Sequence, residues 1–95
     1  MVIPSSSTEF VHVSVTGPAG VDLSEAPVRM AVVAHRDDPV DDEWQPAEWT
    51  DGAVRLLIGP DTAVALTRGD YHVWVSVDPP GPEHITRRSG HLGIT

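Results

Sequence analysis

The chain has no cysteine and no lysine, and its 95 residues include one phenylalanine, one tyrosine and three tryptophans. Without cysteine there is no disulfide, no thiolate metal site and no thiol nucleophile, so packing or a partner must stabilise the fold. Six arginines face fourteen acids, for a formal net charge of -8. That balance argues against nucleic-acid binding, because a phosphate backbone rewards clustered basic side chains. It argues equally against an anionic membrane surface. No apolar run approaches the roughly 20 residues that span a bilayer. The opening MVIPSSSTEF has neither the basic nor the apolar region of a secretory signal. The expectation is a soluble protein made without an export tag.

Catalytic signatures are missing too. No serine sits in a nucleophile elbow, and no glycine-rich loop is built for phosphate. Fourteen acids always offer carboxylate pairs for glycoside chemistry, but a domain this small has no deep cleft to dry one. No catalytic, cofactor-binding or metal-binding residue is assigned, and no cofactor is expected.

What is present is alternation. Residues 66–78 read LTRGDYHVWVSVD, with Tyr71, Val73, Val75 and Val77 on one side and His72, Trp74, Ser76 and Asp78 on the other. Period 2 marks a strand with one buried face. Leu66, Gly69 and Tyr71 have the L-x-x-G-x-Y spacing in which a sandwich tyrosine bonds back to the preceding turn. A phenol suits that position, since its ring enters the core while its hydroxyl reaches a backbone group.

Other stretches follow the same pattern. In residues 9–15, Val11, Val13 and Val15 oppose Phe10, His12 and Ser14. Residues 28–35 place Val28, Met30, Val32 and Ala34 on one face, yet Ala31 and Val33 opposite are also apolar, as in a covered central strand or one that meets another subunit. Residues 53–58 set Val54, Leu56 and Ile58 against Arg55 and Leu57. Residues 84–95 form the last strand, with Gly90 as an expected bulge and Leu92 and Ile94 closing the core.

Turns fall at 17–20, 51–52, 59–61 and the proline-rich 78–82. Residues 62–66 form a short strand or an extended link. Pro46 demotes 44–49 to a short or edge strand, and either Trp44 or Trp49 can be the inter-sheet anchor. A helix over 23–29 is disfavoured by Pro27. These signals predict an all-β chain: an immunoglobulin-like Greek-key β-sandwich of about seven strands over residues 9–95, preceded by a flexible tail at 1–8.

The acidic segment with Asp37, Asp38, Asp41, Asp42 and Glu43 lacks the calcium-loop spacing and its glycine, so it reads as a solvated loop rather than a cation site. His12, His72 and His91 fall opposite core positions, where exposed strand histidines are the simpler explanation. Arg68-Gly69-Asp70 spells an integrin-binding tripeptide, but Gly69 is accounted for by the turn before Tyr71. An exposed tryptophan is a natural interface anchor. The interface candidates are therefore Trp74 and Arg55 on a sheet face, with Phe10 and His72 beside them. Val2 and Ile3 join them as apolar tail residues able to add to a neighbour.

Taken in order, EWQPAEW, RLLIGP, LTRGDYHVWVSV and SGHLGIT resemble a group of small virion proteins of tailed bacteriophages, mostly phages of actinobacteria. The matching positions are Trp44, Ala47, Trp49, Leu57, Gly59, Pro60, Gly69, Tyr71, Val73, Trp74, Val75, Gly90, Leu92 and Ile94; the loop at 78–82 departs from the pattern. The resemblance implies an immunoglobulin-like fold, no enzymatic residues, and a structural place in a virion assembled in the bacterial host cytoplasm. The function expected from it is a capsid accessory (decoration) protein that binds the major capsid protein or other virion proteins, with self-association in a symmetric array as a further partner mode. A head–tail neck or tail component is the alternative. A carbohydrate-binding or host-surface adhesion module is the other.

Overall fold

Two β-sheets pack face to face in a computed structural model that describes residues 1–15, 26–35, 37–50, 52–78 and 84–95. The strands are β1 (Val2–Ile3), β2 (Glu9–Ser14), β3 (Val28–Val33), β4 (Gln45–Pro46), β5 (Glu48–Thr50), β6 (Ala53–Ile58), β7 (Gly69–Val77) and β8 (Ile85–Ile94). One sheet has the order β1-β8-β7-β3-β4 and the other β2-β6-β5. Among the described residues there is no α-helix, only a single 3-10 turn at Asp41–Glu43. The chain is an all-β sandwich, as expected.

The valine-rich alternation explains why these segments are strands. Branched side chains are stiff and pack well on a pleated surface, and period 2 lets each strand bury one row. Val73, Val75 and Val77 of β7 meet Val28 and Met30 of β3, Leu92 and Ile94 of β8, and Val11, Val54, Leu56 and Ile58 of the opposite sheet in one core. Met30, Val54 and Leu92 are fully buried, each worth roughly 1.5–3 kcal/mol of apolar transfer.

Two aromatic groups pin this frame. The Tyr71 hydroxyl donates to the Thr67 carbonyl at 2.8 Å while its ring packs on the core, the arrangement expected of the L-x-x-G-x-Y spacing. Trp49, on β5, packs on the same core and donates its indole N–H to the Ala26 carbonyl at 2.9 Å, just ahead of β3 in the other sheet. It therefore ties the two layers together.

Three expectations change, and one is decided between its two alternatives. Residues 44–49 are not one strand: β4 joins β3, β5 joins β6, and the chain crosses between sheets at Ala47, whose N–H reaches the Val28 carbonyl at 3.2 Å. Residues 62–66 form a link without a ladder, with Val64 and Leu66 on the core. The irregularity in β8 is not at Gly90, which pairs with Val73; the next pair is Trp74 with Arg88, so Ser89 is the extra residue, and its hydroxyl donates to the Val73 carbonyl at 3.1 Å. The tail at 1–8 is also not free along its length. Val2 and Ile3 run parallel to Gly93 and Ile94, held by Gly93 N–H to Met1 O at 2.8 Å and Thr95 N–H to Ile3 O at 3.1 Å. Further on, the backbone of Ser7 and Thr8 presses on Gly59, where an added Cβ would lie 2.5 Å from Ser7 O. The expected turn at 17–20 and most of the proline-rich loop, 79–82, lie outside the described residues, as does Asp51 of the 51–52 turn.

Candidate functional site

The six interface candidates separate into three places. Phe10 and Arg55 come together on the outer face of the three-stranded sheet. There Phe10 opposes Leu57, His12 opposes Arg55, and Arg55 opposes Glu48. Opposed residues in an antiparallel pair share a face, so the five side chains form one patch. The Arg55 guanidinium lies 4.1 Å from the centre of the Phe10 ring, and its Nε donates to Glu48 Oε1 at 2.6 Å. Stacking on one side and a carboxylate on the other hold a long side chain flat. Phe10 and Leu57 remain 37% and 39% exposed. Among the described residues they are the exposed large hydrophobics that stand on an antiparallel pair, and they face each other.

Beside this pair runs an open groove of about 600 Å³, bounded by Phe10, Gln45, Glu48, Leu57, Asp61 and Thr62. Asp61 has φ 65°, and it is the non-glycine residue with positive φ among the described residues. Its carboxylate makes no ion pair among those residues. Nothing in the composition or periodicity pointed to Asp61; the Gly59-Pro60-Asp61 turn was legible, but not its backbone conformation.

Trp74 is elsewhere and is not the exposed anchor expected of it. It stands on the outer face of the five-stranded sheet but is only 8% exposed. Ala31 and Val33 flank it there, and Trp44 covers them from the acidic segment. Arg29 in turn lies 5.5 Å from the Trp44 ring centre. The two apolar faces of β3 are thus explained within the chain: one faces the core and the other lies under Trp44. The Trp74 indole nitrogen is buried without a hydrogen-bond partner among the described residues. His72, half-buried, is opposite His91, with ring centres 6.3 Å apart, and His91 reaches Asp70 at 3.2 Å. Val2 is exposed, whereas Ile3 is 4% exposed and belongs to the core, so it cannot add to a neighbour.

Among the described residues no three metal-capable side chains converge. In the acidic segment Glu43 is engaged: its two oxygens lie 2.8 and 2.9 Å from His35 Nε2, and Oε1 also accepts the Val40 N–H at 3.0 Å. The His35–Glu43 hydrogen bond, and with it the charge of Glu43, raises the His35 pKa. The Val40 N–H, then His35, hold the Glu43 pKa down. Gly69 and Asp70 of the RGD tripeptide open β7 and pair with Ile94 and Gly93, not at a protruding tip.

One trio has the residue types of a hydrolase. Ser76 Oγ lies 3.1 Å from His84 Nε2, and Asp78 Oδ1 lies 4.0 Å from His84 Nδ1. Ser76 is 2% exposed, and the carboxylate stands beyond hydrogen-bond reach of the ring. The His84 contact supplies the partner that a buried hydroxyl requires, so the arrangement is explained by satisfaction of Ser76. Comparison of the chain with protein-family models, curated proteins and solved structures finds no match.

Proposed function

We propose that the chain is a non-enzymatic structural protein of a bacteriophage virion, an immunoglobulin-like capsid accessory protein that binds the major capsid protein through a sheet face. The observation that carries the adhesive part of this reading is the exposed Phe10–Leu57 pair with Arg55 stacked beside it. Aromatic residues and arginine are the types enriched where binding energy concentrates. The virion part rests on the resemblance in the order EWQPAEW, RLLIGP, LTRGDYHVWVSV, SGHLGIT. Several of its residues are frame residues: Trp49 ties the layers, Gly59 admits the backbone of residues 7–8, Tyr71 bonds Thr67, and Leu92 and Ile94 fill the core. The two sheet orders and the Tyr71–Thr67 bond support the immunoglobulin-like part.

A small domain becomes useful in such a role by number, because many copies in a symmetric array add weak contacts together. The glycan-binding alternative leaned on Trp74, whose ring is covered. The test is co-sedimentation of the purified protein with capsids of the phage that encodes it. A saturating stoichiometry that follows capsid symmetry is expected; absence from both capsids and complete particles overturns the reading.

A further inference from the structure

We propose that the groove between Phe10, Leu57 and Asp61 docks a protein surface presenting an aliphatic side chain next to a lysine or arginine. Phe10 and Leu57 supply the apolar floor, exposed on opposed positions of β2 and β6. Charge selects the neighbour of the inserted side chain. The groove holds two carboxylates, Glu48 and Asp61, and one guanidinium, Arg55. Arg55 is already held by Glu48 and by the Phe10 ring, so the charge left for a partner is the Asp61 carboxylate. The rest of the molecule reinforces that sign, with a net charge of -8, which favours encounter with a basic surface.

The backbone at Asp61 is the second, independent observation. A φ of 65° lies in the left-handed region, which glycine occupies at no steric cost and which aspartate and asparagine tolerate better than other L residues. The carboxylate at this turn position is exposed and lines the groove. In this turn, closed by the Thr62 N–H donating to Gly59 O at 3.3 Å, the carboxylate makes no ion pair among the described residues and is left available to a partner.

The proposal rests on the reading of the chain as an adhesive module and adds which face docks and what chemistry it takes. The test uses backbone amide NMR on the intact protein with two small probes: L-leucinamide, apolar and cationic, and N-acetyl-L-leucine, apolar and anionic. Expected are saturable millimolar shifts from leucinamide at Phe10, Arg55, Leu57 and Asp61, and much smaller ones from the anion. Asp61→Asn keeps a residue that tolerates the left-handed region, so its melting temperature stays unchanged while leucinamide affinity falls roughly five-fold, as loss of one charge at about 4 Å in water dictates. Phe10→Ser with Leu57→Ser abolishes the shifts. Equal response to both probes, shifts centred elsewhere, or undiminished affinity in Asp61→Asn overturns the proposal. Capsid co-sedimentation of the same variants separates the two claims. Wild-type protein that fails to sediment while the probes map to the groove removes the virion reading alone; variants that sediment as well as wild type remove the groove.

Discussion

Tyr71 combines two functions in one side chain. Its ring packs on the core, and its hydroxyl closes the turn before β7 by donating to Thr67 O at 2.8 Å. Tyr71→Phe keeps the ring and removes the bond, so urea unfolding is expected to show a loss of about 0.5–1.5 kcal/mol with an unchanged m-value. His35 and Glu43 show a different kind of residue-scale effect. The folded-state pKa of His35 is raised above 6.5, so its contribution is complete below that pH and is lost as pH rises through the raised value. The pKa of Glu43 is lowered below 4.5, so its contribution is complete above that pH and is lost as pH falls through the lowered value. The pair therefore holds the acidic segment most firmly between about pH 4.5 and 6.5. Titration of the His35 ring by NMR is expected to give a midpoint above 6.5 in the wild type and one shifted downward in Glu43→Gln; identical midpoints would contradict the pairing.

At the scale of the element, periodicity tells which residues share a face but not what lies over it. The valine row of β7 was legible from alternation, as were the rows of β2, β6 and β8, whereas its burial was an inference from its apolar character and not from the period. The cover on Trp74 was not. Trp44 arrives from an irregular segment thirty positions earlier in the chain, and no local pattern joins it to Ala31 and Val33. The two-residue strand β1 was hidden for the same reason, since Val2 and Ile3 are too few to show a period and their partners are at the other end of the chain. The groove was half legible. Phe10 and Arg55 were placed correctly on an outer row, whereas their meeting depends on β2 pairing with β6 in one register.

Two predictions belong at this scale. Trp44→Ala uncovers Trp74, so tryptophan emission is expected to shift to longer wavelength and gain access to acrylamide quenching while the far-ultraviolet spectrum stays that of a β protein. Gly59→Ala places a methyl against the backbone of Ser7 and Thr8, which cannot yield like a flexible side chain. It also occupies φ 133°, a region costly for any residue with a Cβ. A loss of at least about 1 kcal/mol is expected in urea unfolding, with faster hydrogen exchange across β1.

On the scale of the whole molecule, the two outer faces have different fates. The five-stranded sheet carries its own cover in Trp44, whereas the three-stranded sheet leaves Phe10 and Leu57 open. The molecule extends 40 × 27 × 20 Å, so a broad side is comparable with the ~800 Å² per partner that a stable interface buries. A single face is therefore large enough for such an interface, and the open one is the face that carries the exposed apolar pair. The net charge of -8 disfavours close approach of copies to one another.

The most direct measurement is a cryo-electron microscopy reconstruction of the particle at a resolution that traces strands. The result expected is a helix-poor two-sheet domain at each symmetry-equivalent site, with β2 and β6 toward the major capsid protein and Phe10 and Leu57 at the contact. Particles that lack the domain, or that bind it through the Trp44-covered face, would contradict it.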